Sequence, residues 1–195
     1  MHMHRAFATL ILIMALLSVA CTQASPNQGT ADSFDKQFID MMVPHHQGAI
    51  EMAKIAQQRG EHPEVQQLAG AIIEAQDNEI TKMKSWRKAW FGSDQTPPMS
   101  QMPMEPGMAG HSGPMNMAAD VENLRKAPAP FDRAFIDAMI PHHQSAIDAA
   151  KAAETRAQKP EIKELSRLII ADQQREIDQM KGWRQAWFGS AEPSR

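Results

Sequence analysis

The chain contains an internal repeat, and this repeat constrains the fold more than any other feature of the sequence. Residues 38–50 read FIDMMVPHHQGAI, and residues 135–147, which lie 97 positions later, read FIDAMIPHHQSAI. The same offset relates WRKAWFGS at residues 86–93 to WRQAWFGS at residues 183–190. Such self-similarity predicts two copies of one supersecondary unit: unit 1 (residues 34–92) and unit 2 (residues 131–189).

Each unit has the hydrophobic period of two α-helices. Pro63 and Pro160 suit the first turn of a second helix, and Gly92 and Gly189 suit the position just past its end. Apolar side chains recur at spacings of three and four residues in both halves of a unit, which is the period of a buried helix face. In unit 1 they are Phe34, Phe38, Met42, Ala49, Val65, Leu68, Ile72 and Met83.

Two such hairpins predict an all-α four-helix bundle in which the units share one core. Pro44 and Pro141 fall inside the predicted first helices, directly before a His-His pair. A proline at such a place either kinks a continuous helix or marks the start of a new one, and the sequence leaves both possibilities open.

The segments outside the units have compositions of their own. Residues 93–130 are rich in Met, Pro and Gly, which predicts a disordered linker, because such a composition cannot build a core. The remaining segments are a targeting segment at residues 1–21, a flexible tether at residues 22–33 and a polar tail at residues 190–195.

The targeting segment ends in Leu17-Ser18-Val19-Ala20-Cys21, after an apolar run that is too short for a confident membrane span. This ending resembles a bacterial lipoprotein signal, in which Cys21 is lipidated and becomes the new N-terminus. The alternative is an ordinary cleaved signal. We therefore expect an exported protein of the bacterial periplasm or cell envelope, held at the membrane by a lipid on Cys21.

Charge points to no nucleic-acid partner. The formal net charge is −3, and the sequence has no basic patch.

The middle of the predicted bundle is polar. Folding unit 1 at a turn near residue 61 places His45 and His46 opposite Gln76 and within one turn of Glu79. Unit 2 repeats this placement, so imidazoles, carboxylates and thioethers occupy positions where Leu and Ile would be usual. The candidate metal ligands are His45, His46, His142, His143, Met42, Met139, Glu79, Glu176, Met83 and Met180.

Two explanations fit this polar layer. In one, the groups satisfy one another in a structural hydrogen-bond network. In the other they hold a metal, which repeated His pairs with Met four residues earlier favour. Thioethers select Cu(I) and imidazole accepts both copper oxidation states, so copper is the expected ion, with Cu(I) favoured and Cu(II) possible. Met83, Met180, Glu79 and Glu176 could be ligands or packing.

The linker contains a second group of soft donors. Six methionines and one histidine lie within residues 99–117. Exposed thioethers suit Cu(I) in an oxidising compartment, where thiols form disulfides; the alternative is a spacer of biased composition. The linker candidates are Met99, Met102, Met104, Met108, His111, Met115 and Met117.

The Pro-His-His pattern in its Phe-Ile-Asp context, followed by Glu-Ile and Met-x-x-Trp, resembles the family called domain of unknown function 305. The resemblance covers both units. It implies a ferritin-like four-helix bundle, exported and associated with copper, and it marks the four His residues together with Met42 and Met139.

These observations favour an exported copper-binding protein that sequesters, buffers or delivers copper, with other copper-handling proteins as possible partners. A ferritin-like metal oxidase and a purely structural helical interaction module are the alternatives. The sequence favours a binding role over an enzymatic one without deciding between them.

Overall fold

The computed structural model of the chain describes residues 26–98 and 117–192. These residues form five helices and no strand, so the predicted all-α fold is confirmed. None of the described helices is both long and apolar enough to cross a membrane. The helices are α1 (Pro26–Arg59), α2 (Pro63–Phe91), α3 (Met117–Lys126), α4 (Phe131–Arg156) and α5 (Pro160–Phe188).

The ends of α2 and α5 are where the sequence places them. Each helix begins with its proline, Pro63 or Pro160, which loses nothing there because the first N–H groups of a helix have no intrahelical partner. Gly92 and Gly189 follow the last helical residues with φ values of 82° and 80°. That left-handed conformation is easily adopted only by glycine, so both helices stop at a fixed point.

The four long helices form a bundle of two crossed hairpins. Helix α1 packs on α2, α4 packs on α5, and α1 crosses α4. Phe38 near the start of α1 shares a core cluster with Ala150 near the end of α4, whereas Ala53 shares the other cluster with Phe135. Because opposite ends of the two helices meet, α1 and α4 run antiparallel, and the His-His pairs lie at their crossing.

Helices α1 and α4 continue through Pro44 and Pro141. Of the two possibilities that the sequence leaves open, the helix that restarts at the proline is therefore wrong. A proline ring displaces the bond to the carbonyl four residues earlier, which here belongs to Asp40 or Asp137.

The carboxylates of these two aspartates join each first helix to its partner. Arg87 Nε lies 2.5 Å from Asp40 Oδ1, and Arg184 Nε lies 2.5 Å from Asp137 Oδ1. Each guanidinium also donates to a carbonyl beyond its own helix, that of Ser93 or Ser190. A paired, multiply bonded arginine is the form in which a buried charge is tolerated, so the pairs fasten the aromatic ends of α2 and α5.

Each unit caps the turn of the other. Both Asp132 carboxylate oxygens accept bonds at the turn of unit 1, from the backbone N–H groups of Glu61 and His62 at 2.8 Å each. Asp35 does the same at the turn of unit 2, where it accepts from the N–H groups of Gln158 and Lys159. Since neither α2 nor α5 has a capping side chain of its own, each hairpin depends on the other for these bonds.

Two predicted boundaries need correction. The predicted tether reaches residue 33, but α1 already begins at Pro26, because proline suits a first turn and an existing helix extends at little cost. The predicted disordered linker reaches residue 130, but it contains α3. Val121 and Leu124 bury one face of that helix, and Arg59 donates to the carbonyls of Leu124 and Ala127 at its C-terminal end.

Several predictions concern residues outside the described ranges. These are the targeting segment with Cys21, and the linker candidates Met99, Met102, Met104, Met108, His111 and Met115.

Candidate metal centre

Four imidazole rings form a line across the point where α1 and α4 cross. The rings of His45 and His142 lie in contact, with centroids 3.9 Å apart and planes tilted by 33°. His46 extends the line on one side at 6.1 Å from His45, and His143 extends it on the other side at 6.5 Å from His142. We call these four residues the His row. All four side chains are buried, so the His pairs face the core, as the sequence predicts.

The outer rings of the His row each contact a carboxylate. His46 Nε2 lies 2.7 Å from Glu79 Oε2, and His143 Nε2 lies 2.6 Å from Glu176 Oε2. The two pairs occupy equivalent positions in the units, and they join α1 to α2 and α4 to α5. The glutamate side chains are 12% and 18% exposed, so the carboxylates lie at the edge of the core while the imidazoles are fully inside.

The inner rings of the His row contact each other's helices. Ser145 Oγ lies 2.8 Å from His45 Nε2 and donates to the carbonyl oxygen of His142 at 2.7 Å. His142 Nε2 lies 3.3 Å from the carbonyl oxygen of His45. The crossing of α1 and α4 is therefore held by hydrogen bonds as well as by ring contact.

Burial keeps the inner rings neutral. Desolvation is the main cause that lowers the pKa of His45 well below its ordinary value, and the neighbouring His142 ring is the second. The same burial, with repulsion from His143, lowers the pKa of His142 to about 3. Because a metal binds the neutral imidazole, these rings compete for a cation without first having to release a proton at neutral pH.

The four predicted thioether ligands are buried in the two core clusters. Met42 and Met83 belong to the cluster built around the start of α1, and Met139 and Met180 belong to the other. All four methionines are 0% exposed. Each unit thus brings its predicted pair of thioethers into one cluster.

The predicted acid and imidazole ligands do not converge on one point. Within the described ranges, no three His, Cys, Asp or Glu side chains are close enough together to hold a metal ion. The Glu–His pairs are separate, one on each side of the crossing.

Several polar atoms of this region lack a partner. In the described part of the chain, Nδ1 of His45, His46 and His143 is buried and makes no hydrogen bond. The side-chain carbonyl oxygens of Gln76 and Gln173 are also buried and make no hydrogen bond with the described residues. Buried polar groups are nearly always paired, so a concentration of exceptions marks a place that requires an explanation.

The comparison with known sequences assigns the family. Residues 35–185 match the sequence profile of the family named domain of unknown function, DUF305. The chain belongs to the DUF305 family. The resemblance inferred from the Pro-His-His pattern is confirmed.

Solved structures similar to this DUF305 chain include metal-bound proteins. CopM in its Cu(I)-bound form is 40% identical, with a TM-score of 0.66, and the match covers 80% of this chain and 98% of that one. CopM in its Cu(II)-bound form is 44% identical, with a TM-score of 0.66 over 79% and 97% of the two chains. A DUF305 protein from Streptomyces coelicolor is 30% identical, with a TM-score of 0.70 over 85% and 99%.

A curated relative matches a shorter stretch. An uncharacterised protein of Acanthamoeba polyphaga mimivirus is 38% identical over 77 residues, which is 40% of this chain. The match spans about half of that relative, 49% of its length.

One linker candidate, Met117, lies beside the crossing in this DUF305 fold. Its Sδ atom would be 2.6 Å from a Cβ atom placed on Gly48, which is buried on α1 three residues after His45. Residues three apart share a helix face, so the thioether covers the face of α1 that also presents His45. The absence of a side chain at Gly48 is what gives Met117 this space.

Sequence reasoning missed Ser145 as a member of the candidate centre, and it placed Gln76 and Gln173 there without showing the state of their carbonyl oxygens. Ser145 replaces Gly48 at the one position of the His-His-Gln-x-Ala-Ile motif where the two units differ, and that difference was the available signal. The glutamines were predicted to lie opposite the His pairs, but only the structure shows that their carbonyl oxygens have no partner among the described residues.

Proposed function

We propose that this DUF305 protein is an exported copper-binding protein that sequesters, buffers or delivers copper in the cell envelope. The observation that carries the proposal is the His row, in which buried imidazoles present nitrogens that bond to nothing in the described part of the chain. Burial also lowers the pKa of the two inner rings, His45 and His142, and keeps them neutral. The existence of Cu(I)-bound, Cu(II)-bound and silver-bound forms of CopM, at 40–44% identity, supports copper as the ion.

The proposed ligands are the four imidazoles of the His row with thioethers from the two core clusters. Met42 and Met139 lie one helical turn before His46 and His143, so they share a helix face with them. Met83 and Met180 lie in the same clusters, and Glu79 and Glu176 are the available carboxylates. Thioether donors favour Cu(I), and the imidazoles also accept Cu(II).

The methionines of residues 99–117 form a proposed second group of Cu(I) ligands. Met117 supports a connection between the two groups, because its thioether lies against α1 beside the crossing. Titration of a variant with Leu at Met99, Met102, Met104, Met108 and Met115 tests this. The variant should lose part of the bound Cu(I) while retaining the bundle site.

Export and lipid anchoring at Cys21 complete the proposal. The Streptomyces coelicolor relative is considered secreted, which supports export. Cys21→Ser should move the protein from the membrane fraction to the soluble envelope fraction. Mass spectrometry of the mature N-terminus would detect the lipid directly, and an unmodified Cys21 would contradict the anchor.

Anaerobic titration of the mature protein with Cu(I), followed by metal analysis, tests the bundle site. Leucine at all four positions of the His row should abolish that site, because an apolar side chain of similar size fills the core but offers no ligand. His62→Ala is the matched control, since His62 lies outside the His row. A quadruple variant that is folded by circular dichroism and binds as much copper as the wild type would refute the assignment.

Two further measurements separate the two alternatives. A structural module predicts a melting temperature that ignores added metal, whereas an ion that binds only the folded state must raise it. A ferritin-like oxidase predicts oxygen consumption when Cu(I) is added in air.

A further inference from the structure

Every ring of the His row has its Nε2 atom engaged by an oxygen. The partners are Ser145 Oγ for His45, Glu79 Oε2 for His46, the carbonyl oxygen of His45 for His142, and Glu176 Oε2 for His143. The partners differ in chemistry and come from four different helices. The same ring nitrogen is used in all four cases.

These partners fix the position of the ring proton. A carboxylate and a backbone carbonyl can only accept, so Nε2 of His46, His142 and His143 must carry the hydrogen. Ser145 has one hydroxyl proton, and it is directed to the carbonyl oxygen of His142 at 2.7 Å. The oxygen of Ser145 therefore accepts from His45 Nε2. A neutral imidazole has a single N–H, so Nδ1 of the buried, neutral rings of His45 and His142 is an unprotonated lone pair. Nδ1 of His46 and of His143 is buried with no acceptor in the described ranges, so a second proton on either ring would have no partner there.

The atoms without partners are consistent with this assignment. In the described ranges, Nδ1 of His45, His46 and His143 is buried and unbonded, as are the carbonyl oxygens of Gln76 and Gln173. All five are acceptors; the sixth buried atom without a partner in these ranges, Ser166 Oγ, belongs to a hydroxyl that can both donate and accept. Two of the nitrogens and both oxygens occur at equivalent positions of the two units. A group of buried acceptors needs either hydrogen-bond donors or a Lewis acid, because each buried acceptor left unpaired costs free energy of folding.

We propose that copper binds Nδ1 of the His row, and that Glu79, Glu176 and Ser145 are positioning residues that hold the rings by Nε2. This inference rests on the proposed function and names its ligand atoms. It makes Glu79 and Glu176 residues that position the imidazole rings, and it removes both from the set of metal ligands. A carboxylate that accepts the second ring N–H of a metal-binding histidine fixes its tautomer and raises its basicity, and such a partner does not itself touch the metal.

Nitrogen NMR of the full mature chain with labelled histidine tests the assignment. Long-range ¹H–¹⁵N correlation spectra distinguish the two neutral tautomers, and the metal-free protein should show Nε2–H for all four rings. Ag(I) is the probe, because it is a soft, diamagnetic monovalent ion. On its addition the Nδ1 signals should shift and split by coupling to silver, while the Nε2–H signals remain.

Each other outcome is decisive. Silver coupling at Nε2, or an Nδ1–H tautomer in the metal-free protein, overturns the inference and leaves the proposed function standing. If no signal of the His row responds to Ag(I), the bundle site itself is wrong, and both proposals fail together.

Paired substitutions separate a positioning carboxylate from a ligand. In Glu79→Gln with Glu176→Gln, the amide oxygen still accepts from Nε2–H, so the tautomer should persist and Ag(I) affinity should fall less than about tenfold. In Glu79→Leu with Glu176→Leu, the acceptor is gone, and affinity should fall by about 10–100-fold as the rings populate both tautomers. If the Gln variant loses as much affinity as the Leu variant, the carboxylates are ligands and the inference is refuted.

Discussion

Unit 1 and unit 2 place equivalent groups at the same points of the bundle, but they differ at one position of the crossing, where unit 1 has Gly48 and unit 2 has Ser145. Both have an Asp–Arg pair near the aromatic end and a His–Glu pair beside the centre. At the crossing, Ser145 of unit 2 contacts His45, whereas its equivalent Gly48 leaves space that Met117 covers. Groups far from the crossing can be duplicated freely. At the crossing the equivalent rings of His45 and His142 meet unchanged, whereas the neighbouring position is Gly in one unit and Ser in the other because its surroundings differ.

This comparison also separates two kinds of polar contact. The Asp–Arg and His–Glu pairs join helices within one unit, and each is complete without the other unit. The Ser145–His45 contact and the two capping aspartates join different units. The same substitution made in each unit in turn therefore shows whether two contacts at equivalent positions contribute the same free energy of folding.

The largest expected effect comes from breaking the Asp–Arg pairs. Removal of one partner of a buried ion pair costs about 3–5 kcal/mol when the other charge is left alone. Arg87→Met should lower the free energy of unfolding by about 3 kcal/mol, the lower end of that range, because Lys36 Nζ still pairs with Asp40 Oδ2 at 2.7 Å. Arg184→Met should cost less, because the Asp137 side chain is 22% exposed and can be hydrated, against 6% for Asp40. Urea unfolding of the two variants measures the difference. Equal losses would show that exposure of the carboxylate does not matter.

The next largest effect is that acid lowers the stability of the fold. Its cause is the two inner imidazoles of the His row, His45 in unit 1 and His142 in unit 2. In the unfolded chain both rings take up a proton near pH 6.5, but burial lowers the folded-state pKa of His142 to about 3 and that of His45 well below its ordinary value. Protonation therefore favours unfolding. Stability is complete above pH 6.5 and falls as the pH drops from there towards 3. The folded-state pKa of about 3 for His142 corresponds to a loss of about 2 kcal/mol from that ring at pH 5, and His45 adds a loss of the same sign.

Thermal unfolding at pH 7 and pH 5 measures this loss in metal-free protein. His45→Gln with His142→Gln is the matched variant, and its stability should depend less on pH over the same interval. If wild type and variant lose stability in parallel, other groups cause the acid sensitivity.

The smallest effect concerns exchange of the two residues that differ at the crossing. Ser145→Gly removes the contact with His45 and should destabilise the fold by about 1–2 kcal/mol. Gly48→Ser gains helix propensity, but its Cβ atom would meet Met117 Sδ at 2.6 Å, so we expect a net change within about 1 kcal/mol. Adding Met117→Ala to Gly48→Ser should relieve the overlap. A double-mutant cycle with no coupling would mean that Met117 does not occupy this space in solution.

The sequence predicted contacts inside a unit better than contacts between units. The opposition of His46 and Glu79 follows from folding a hairpin at a known turn, because the spacing along two adjacent helices is regular. The ends of α2 and α5 follow from Pro63 and Gly92 in the same local way. Periodicity contains no information on how two hairpins cross, so the contact of His45 with His142 could not be predicted, although the burial of both could.

The missed features depend on tertiary context. Asp132 reaches the turn at His62 across 70 residues of chain, and no local pattern relates them. Helix α3 was missed because only its Val121 and Leu124 face is apolar, within a segment of strongly biased composition. The ligand set stays a prediction, since hairpin geometry brings the imidazoles and thioethers into one region without choosing among their atoms.

The exchanged capping by Asp35 and Asp132 bears on how such a protein could have arisen. A half-length ancestor with one unit would have held both the aspartate and the turn that needs it, yet could not have brought them together within a single chain. Two copies of that ancestor would have supplied each other, so it would have been an obligate dimer. Fusion of the two gene copies would then have allowed the halves to diverge, first at the crossing of α1 and α4, which corresponds to the symmetry axis of that dimer.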